Sequence, residues 1–193
     1  MRKRVLIAGG GELLESLSRA FLEEGASVAL LTPDAASLEH VLDGLGGERD
    51  DRFGVVAGEG ALDTLLSRLG RLDVLVCAPQ ALPRSVALES RLAEQVAGPS
   101  SLLQVARAWM HGRGGGRLVA VAPDGDSHAA SMVREALAAL VRRLADTAGS
   151  GIRVNLLCPQ GASSASVADC ARFLAGGAGR ALNGQVLTLT YSS

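Results

Sequence analysis

Apolar residues in this chain fall into short continuous runs, and amphipathic stretches separate them. The runs at 4–8, 27–32, 53–56, 74–77, 117–121, 153–158 and 186–189 carry almost no polar alternation. A strand without such alternation is buried on both faces. The stretches at 13–24, 35–45, 61–69, 99–110, 130–147 and 167–175 carry apolar residues at helical spacing. Gly9-Gly10-Gly11 ends the first strand, Pro33-Asp34 starts the second helix, and Pro99 suits the first turn of a later one. Strand and helix in alternation predict a doubly wound, Rossmann-like parallel sheet with helices on both sides. No repeat or linker interrupts it, so residues 1–193 read as one domain.

Composition narrows the function. Basic residues number 19 and acidic residues 20, which excludes an electrostatic nucleic-acid binder. No apolar run is long enough to cross a bilayer. The three cysteines, Cys77, Cys158 and Cys170, form an odd set without metal-ligand spacing. They read as reduced thiols of a cytoplasmic protein, two of them a core thiol (Cys158) and a helix thiol (Cys170), and no metal site is expected. Asp124-Gly-Asp126-Ser127-His128 reads as a polar surface turn, because a catalytic triad needs geometry across a fold.

Four segments carry a resemblance. They are Leu72-Asp-Val-Leu-Val76, Gly116-Arg-Leu-Val119, Ile152-Arg-Val-Asn-Leu-Leu-Cys-Pro159 and Asn183-Gly-Gln-Val-Leu187. Each is weak alone, but their order along the chain resembles the short-chain dehydrogenase/reductase family. The resemblance implies a nicotinamide cofactor and hydride transfer to or from a carbonyl. It also implies a tyrosine acid/base, a lysine that lowers its pKa, an orienting serine and a relay asparagine.

The residues present depart from that pattern. Gly9, Gly10 and Gly11 begin a phosphate loop, but no further glycine occurs before Gly25. Leu14 takes the third place of Gly-x-Gly-x-x-Gly, and the family's own spacing reaches Leu13 and Glu15, or Glu12 and Leu14 in a shorter loop. Carboxylates at Glu12 and Glu15 complement a bare helix terminus but oppose a bound dianion. Cys77-Ala78-Pro79 stands where the family has Asn-Ala-Gly, and Pro79 removes a backbone donor.

The resemblance puts Ala130 at the tyrosine and Arg134 at the lysine; a second register puts His128 and Met132 there. The serine place falls on Ala122 or Pro123, and the asparagine place on Gln95. The one tyrosine is Tyr191 and the one lysine is Lys3, so no Tyr-x-x-x-Lys exists in any register. Losing a general acid/base costs roughly 10²- to 10⁴-fold in rate. The substrate lid expected after Pro159-Gln-Gly161 is also missing, because only a short serine- and alanine-rich stretch precedes the next helix.

The helix at 130–147 is apolar on more than one face, where packing on one sheet needs a single stripe. The resemblance implies that this helix and the one before it pair with a neighbouring subunit. The expected interface residues are Trp109, Met132, Ala136, Leu137, Leu140 and Leu144, with Ala138 and Ala139 allowing close approach. Three readings follow. The first is a non-catalytic subunit that needs no cofactor and pairs with an active relative or with itself. The second is an atypical NAD(P)-dependent oxidoreductase using Arg134, His128 or Gln95. The third is a ligand-binding module on the same scaffold.

Overall fold

The computed structural model describes residues 2–45, 52–78, 82, 85–149 and 151–190. Pro79 and Tyr191 lie outside the described residues. The strands are β1 (Arg4–Gly9), β2 (Ser27–Thr32), β3 (Arg52–Val56), β4 (Val74–Ala78), β5 (Gly116–Val121), β6 (Ile152–Gln160) and β7 (Val186–Thr190). They form one parallel sheet in the order β3-β2-β1-β4-β5-β6-β7. The order reverses at β1, so the ends of β1 and β4 border a crevice, the usual place for a ligand in open α/β sheets.

The helices are α1 (Glu12–Glu23), α2 (Ala35–Gly44), α3 (Ala61–Leu69), α4 (Leu88–Leu92), α5 (Gly98–Met110), α6 (His128–Thr147) and α7 (Ser164–Ala175). Buried Leu14, Leu17, Ser18 and Phe21 place one face of α1 on the sheet. Two apolar clusters cover the two sheet faces. One gathers Leu6, Leu75, Leu118 and Leu156 with Leu103, Met110, Val133 and Leu137. The other gathers Val5, Ile7, Val76 and Val119 with Leu14, Phe21 and Leu174. Two-sided burial of the strands is therefore what the uninterrupted apolar runs require.

Two readings of the sequence need correction. The helix expected to begin at Pro99 starts further upstream: α4 runs into a π-helical turn, Ala93–Ala97, and then into α5. Proline inside a helix cannot donate to the carbonyl four residues back and crowds it. A wider π turn directly before Pro99 relieves both problems. The second correction concerns α6. Leu137 and Leu144 were expected at an interface, yet Leu137 is fully buried and Leu144 nearly so, in this chain's own core. With Val133 and Val141 they form the sheet-facing stripe. Met132, Ala136 and Leu140 form a separate, partly exposed stripe, and Trp109 is half-buried with the Arg113 guanidinium 4.4 Å from its ring centre.

Candidate functional site

The C-terminal strand ends hold two clefts. One, of about 220 Å³, opens at β1, β2 and β4 and is lined by Gly9, Thr32, Cys77, Gln95 and Leu102 among others. The second, of about 360 Å³, lies between the start of α1 and the ends of β5 and β6. Gly10, Gly11, Glu12, Leu13, Ala122 and Asp124 help to line it.

The three glycines differ in what they do. Gly9 has a φ of 150°, and a Cβ there would overlap the carbonyl oxygen of Ala78 on β4. It is needed where β1 meets β4. Gly11 has a φ of 72° and open space around it, and it begins α1 without any side-chain cap. That arrangement resembles a phosphate cradle in backbone terms. The side chains do not complete it. Glu12, Leu13 and Asp124 line the cleft, and no cationic residue lines it among the described residues. Two carboxylates and a leucine fit a dianionic diphosphate badly. Glu15, expected beside Glu12, instead pairs with Arg19 at 2.7 Å. Leu14 is wholly buried. Such burial contributes roughly 1.5–3 kcal/mol, so the residue in the third glycine's place serves the core.

Asp34 sits where the sequence reading puts the start of the second helix, and it caps that helix. An acidic side chain beyond the second strand commonly binds a ribose hydroxyl in dinucleotide folds. Here the Asp34 carboxylate accepts the Ser37 N–H at 2.8 Å and the Ser37 hydroxyl at 2.8 Å, capping α2. These bonds hold its carboxyl below the ordinary aspartate value. The sequence signal, Pro33-Asp34, marked the helix start and says nothing further.

The positions assigned by resemblance to the reacting groups lie on elements that pack together. Gln95 sits in the π turn and is buried. Alpha-6 packs against that turn and along β6. Ala122 follows β5 and is buried, its N–H donating to the Leu157 carbonyl at 2.8 Å. Ala130 is buried in the first turns of α6. Arg134 donates to the Gly125 carbonyl at 2.8 Å and the Ser131 hydroxyl at 2.9 Å. Its guanidinium braces the β5–α6 loop. Asp124 acts on the same loop: its Oδ1 accepts the Gly125 N–H at 2.7 Å and the Gly161 N–H at 3.1 Å. The segment expected to be a plain surface turn is thus a tie between the loops after β5 and β6. His128, expected in a loop, is the exposed first residue of α6. The β6–α7 connection is residues 161–163 only, with Ser163 capping α7 through the Ser166 N–H.

Burial pushes the Cys77 thiol up to about 12, and burial likewise raises Cys158 and Cys170. Among the described residues, no group of three or more His, Cys, Asp or Glu could hold a metal, and no helix is long and apolar enough to cross a membrane.

An open parallel sheet reversing at β1, with a glycine-started helix at the reversal, defines a doubly wound, Rossmann-like α/β fold. No family model and no curated protein matches the sequence. Solved structures do match. A short-chain dehydrogenase/reductase family oxidoreductase from Burkholderia thailandensis superposes with a TM-score of 0.87 at 24% identity, over 98% of this chain and 92% of that one. A hydroxysteroid dehydrogenase from Escherichia coli gives 0.84 at 23%, over 97% and 94%. A 3-ketoacyl-(acyl-carrier-protein) reductase from Brucella melitensis, complexed with NADH, gives 0.83 at 19%, over 97% and 96%. The chain has the fold of short-chain dehydrogenases/reductases.

Proposed function

We propose that this chain is a non-catalytic, short-chain-dehydrogenase-like subunit that associates with an active oxidoreductase of that fold, or with itself, and stabilises or regulates it. The observation that carries the reading is chemical. The resemblance puts the serine place at Ala122 or Pro123 and the tyrosine place at Ala130 or, in a second register, His128, and the sequence holds no Tyr-x-x-x-Lys in any register. Alanine moves no proton. Arg134 stays charged and spends a donor on each of the Gly125 carbonyl and the Ser131 hydroxyl, so it is a poor proton-transfer group.

The surface supports association. Among the described residues the exposed large apolar side chains are Leu88, Val105, Met132 and Phe173, and all but Phe173 lie on α4, α5 and α6. Ala136 and Leu140 continue the patch on α6. Exposed apolar side chains on these three helices are consistent with an interaction surface there. Co-expression with a related active reductase tests the reading. The complex should survive affinity capture and gel filtration, and Val105→Glu with Met132→Glu should abolish it while leaving the circular dichroism spectrum unchanged. A stable monomer that retains no reductase would sink it.

A second reading, an atypical NAD(P)-dependent oxidoreductase, draws on the NADH-complexed neighbour and on the open cleft at β1, β2 and β4. Calorimetry separates the two. Micromolar binding of NAD(H) or NADP(H) by the chain alone restores the oxidoreductase; binding by the co-expressed complex alone, at one cofactor per active subunit, favours the first reading.

A further inference from the structure

An exposed helix face normally carries the charged residues of its helix. The face of α5 departs from that rule. Its exposed positions are Gly98, Ser101, Gln104, Val105 and Ala108, and none is charged. Loss of charge over an exposed face is a mark of an interface core. Beside it on the same sheet face lies α6. Leu103 and Met110 of α5 share a core with Val133 and Leu137 of α6, and Arg107 donates to the Thr147 carbonyl at 2.8 Å.

The exposed face of α6 does carry charge, and the charge is ordered. Met132, Glu135, Ala139, Arg142, Arg143 and Asp146 are all exposed and follow one another at helical spacing. Ala139 stands in the middle, with Glu135 about one turn before it and Arg142 and Arg143 about one turn after. Among the described residues, Glu135, Arg142 and Arg143 enter no ion pair, although Asp146 follows both arginines at the spacing that would allow one.

We propose that the occupant of this surface is a second copy of this chain, its α6 antiparallel to the first across a two-fold axis at Ala139. This rests on the reading that the α4–α6 surface is an interface, and it fixes the partner. A two-fold contact is self-complementary: where one residue meets a second, the second meets the first. The face of α6 has that symmetry. Antiparallel helices centred on Ala139 set Glu135 of each copy against Arg142 and Arg143 of the other, so the contact forms twice. The alanine lets the two helix axes come close. Met132 and Asp146 lie equally far from the centre and meet each other, which adds nothing. A partner of different sequence needs either a carboxylate or an arginine pair on this chain, not both placed evenly about a small residue. Exposed ion pairs are weak, so they select the partner and its register. The uncharged face of α5, with Ala136 and Leu140 of α6, supplies the buried area.

The test is a charge exchange, read by sedimentation velocity of the whole chain. The parent chain should sediment as a dimer. One variant carries Glu135→Arg, and a second carries Arg142→Glu with Arg143→Glu. Each makes both contacts repulsive and should weaken dimerisation about tenfold or more. An equimolar mixture of the two variants makes both contacts attractive again and should recover the dimer as a mixed pair. A single chain carrying all three substitutions should recover it as well. These positions are exposed, and circular dichroism checks the fold of each variant. Variants that dimerise like the parent, or folded variants that fail to recover on mixing, overturn the proposal. A monomeric parent chain overturns it too. If a co-expressed active reductase still captures that monomer, the interface reading survives and only self-pairing fails; if no reductase captures it, both fail.

Discussion

At the β6–β7 junction the polar groups of the resembling motifs are joined to one another; at the mouth of β1 they are not. Asn155 is buried, donates to the Leu182 carbonyl at 3.1 Å and accepts the Gln185 N–H at 3.1 Å. Asn183 accepts the Val154 N–H at 3.0 Å and donates to the Ala145 carbonyl at 3.3 Å. The two segments clip β6, β7 and the end of α6 together. At the mouth of β1, Gly9 admits a close neighbour strand, while Gly11 opens onto a cleft lined by Glu12, Leu13 and Asp124. Groups that hold the fold are present in both regions. Among the described residues, the cleft in the second is lined by Glu12 and Asp124 and by no cationic side chain. The sequence motifs shared with short-chain dehydrogenases therefore report scaffold here, and a functional reading has to rest on the site itself.

The sharpest test of that contrast lies within the glycine loop. Gly9→Ala forces a Cβ into the Ala78 carbonyl, which rigid backbone cannot avoid. It should cost about 4 kcal/mol or more, among the larger single-site effects, and lower Tm by about 10 °C or more. Gly11→Ala meets no atom and pays only for its backbone conformation, φ 72° and ψ −166°, roughly 1–3 kcal/mol. Thermal melts of the two variants decide it. Equal losses would mean that Gly11 is as structural as Gly9 and that the loop serves the fold alone.

Next in size is the clip. Asn155→Ala leaves the Leu182 carbonyl and the Gln185 N–H without their partner, at roughly 1–3 kcal/mol for each stranded group. A Tm loss of about 5–10 °C is expected. Arg134→Lys should cost less, about 1 kcal/mol, through the lost bond to Gly125. It places a lysine where the resemblance wants one, and no carbonyl-reductase turnover should appear. Measurable turnover would show that the site needs only its lysine, contrary to the contrast drawn here.

Much of the fold was legible because two-sided burial leaves a plain mark: strands such as Val5-Leu-Ile-Ala8 carry no polar residue. What went unread had no local mark. Pro99 looked like a helix start, since the π turn that accommodates it is a property of backbone geometry. Periodicity revealed that α6 has more than one apolar face but could not say that Leu137 and Leu144 meet this chain's sheet and Met132 does not. At the site, composition alone excluded Tyr-x-x-x-Lys. The ties of Arg134 to Gly125 and of Asp124 to Gly161 join residues whose pairing depends on where two loops end. No spacing rule encodes that.

The smallest effect concerns Asp34, and it tests whether a residue in a ligand-binding place has become a structural one. Its carboxylate is exposed and is held below the ordinary aspartate value, first by the Ser37 N–H and then by the Ser37 hydroxyl. A carboxylate whose folded value is depressed contributes stability above its unfolded value, near pH 3.8. That contribution fades as pH falls through the lower, folded value. Ser37→Ala removes the hydroxyl and leaves the N–H, so the depression should shrink but not vanish. Melts at neutral pH should drop slightly, and the gap between Ser37→Ala and the parent chain should close below the folded Asp34 value, where both carboxyls are protonated. A gap that stays constant down to that pH would show that Ser37 stabilises α2 by some route other than the Asp34 cap. The carboxylate would then be available to a ligand after all.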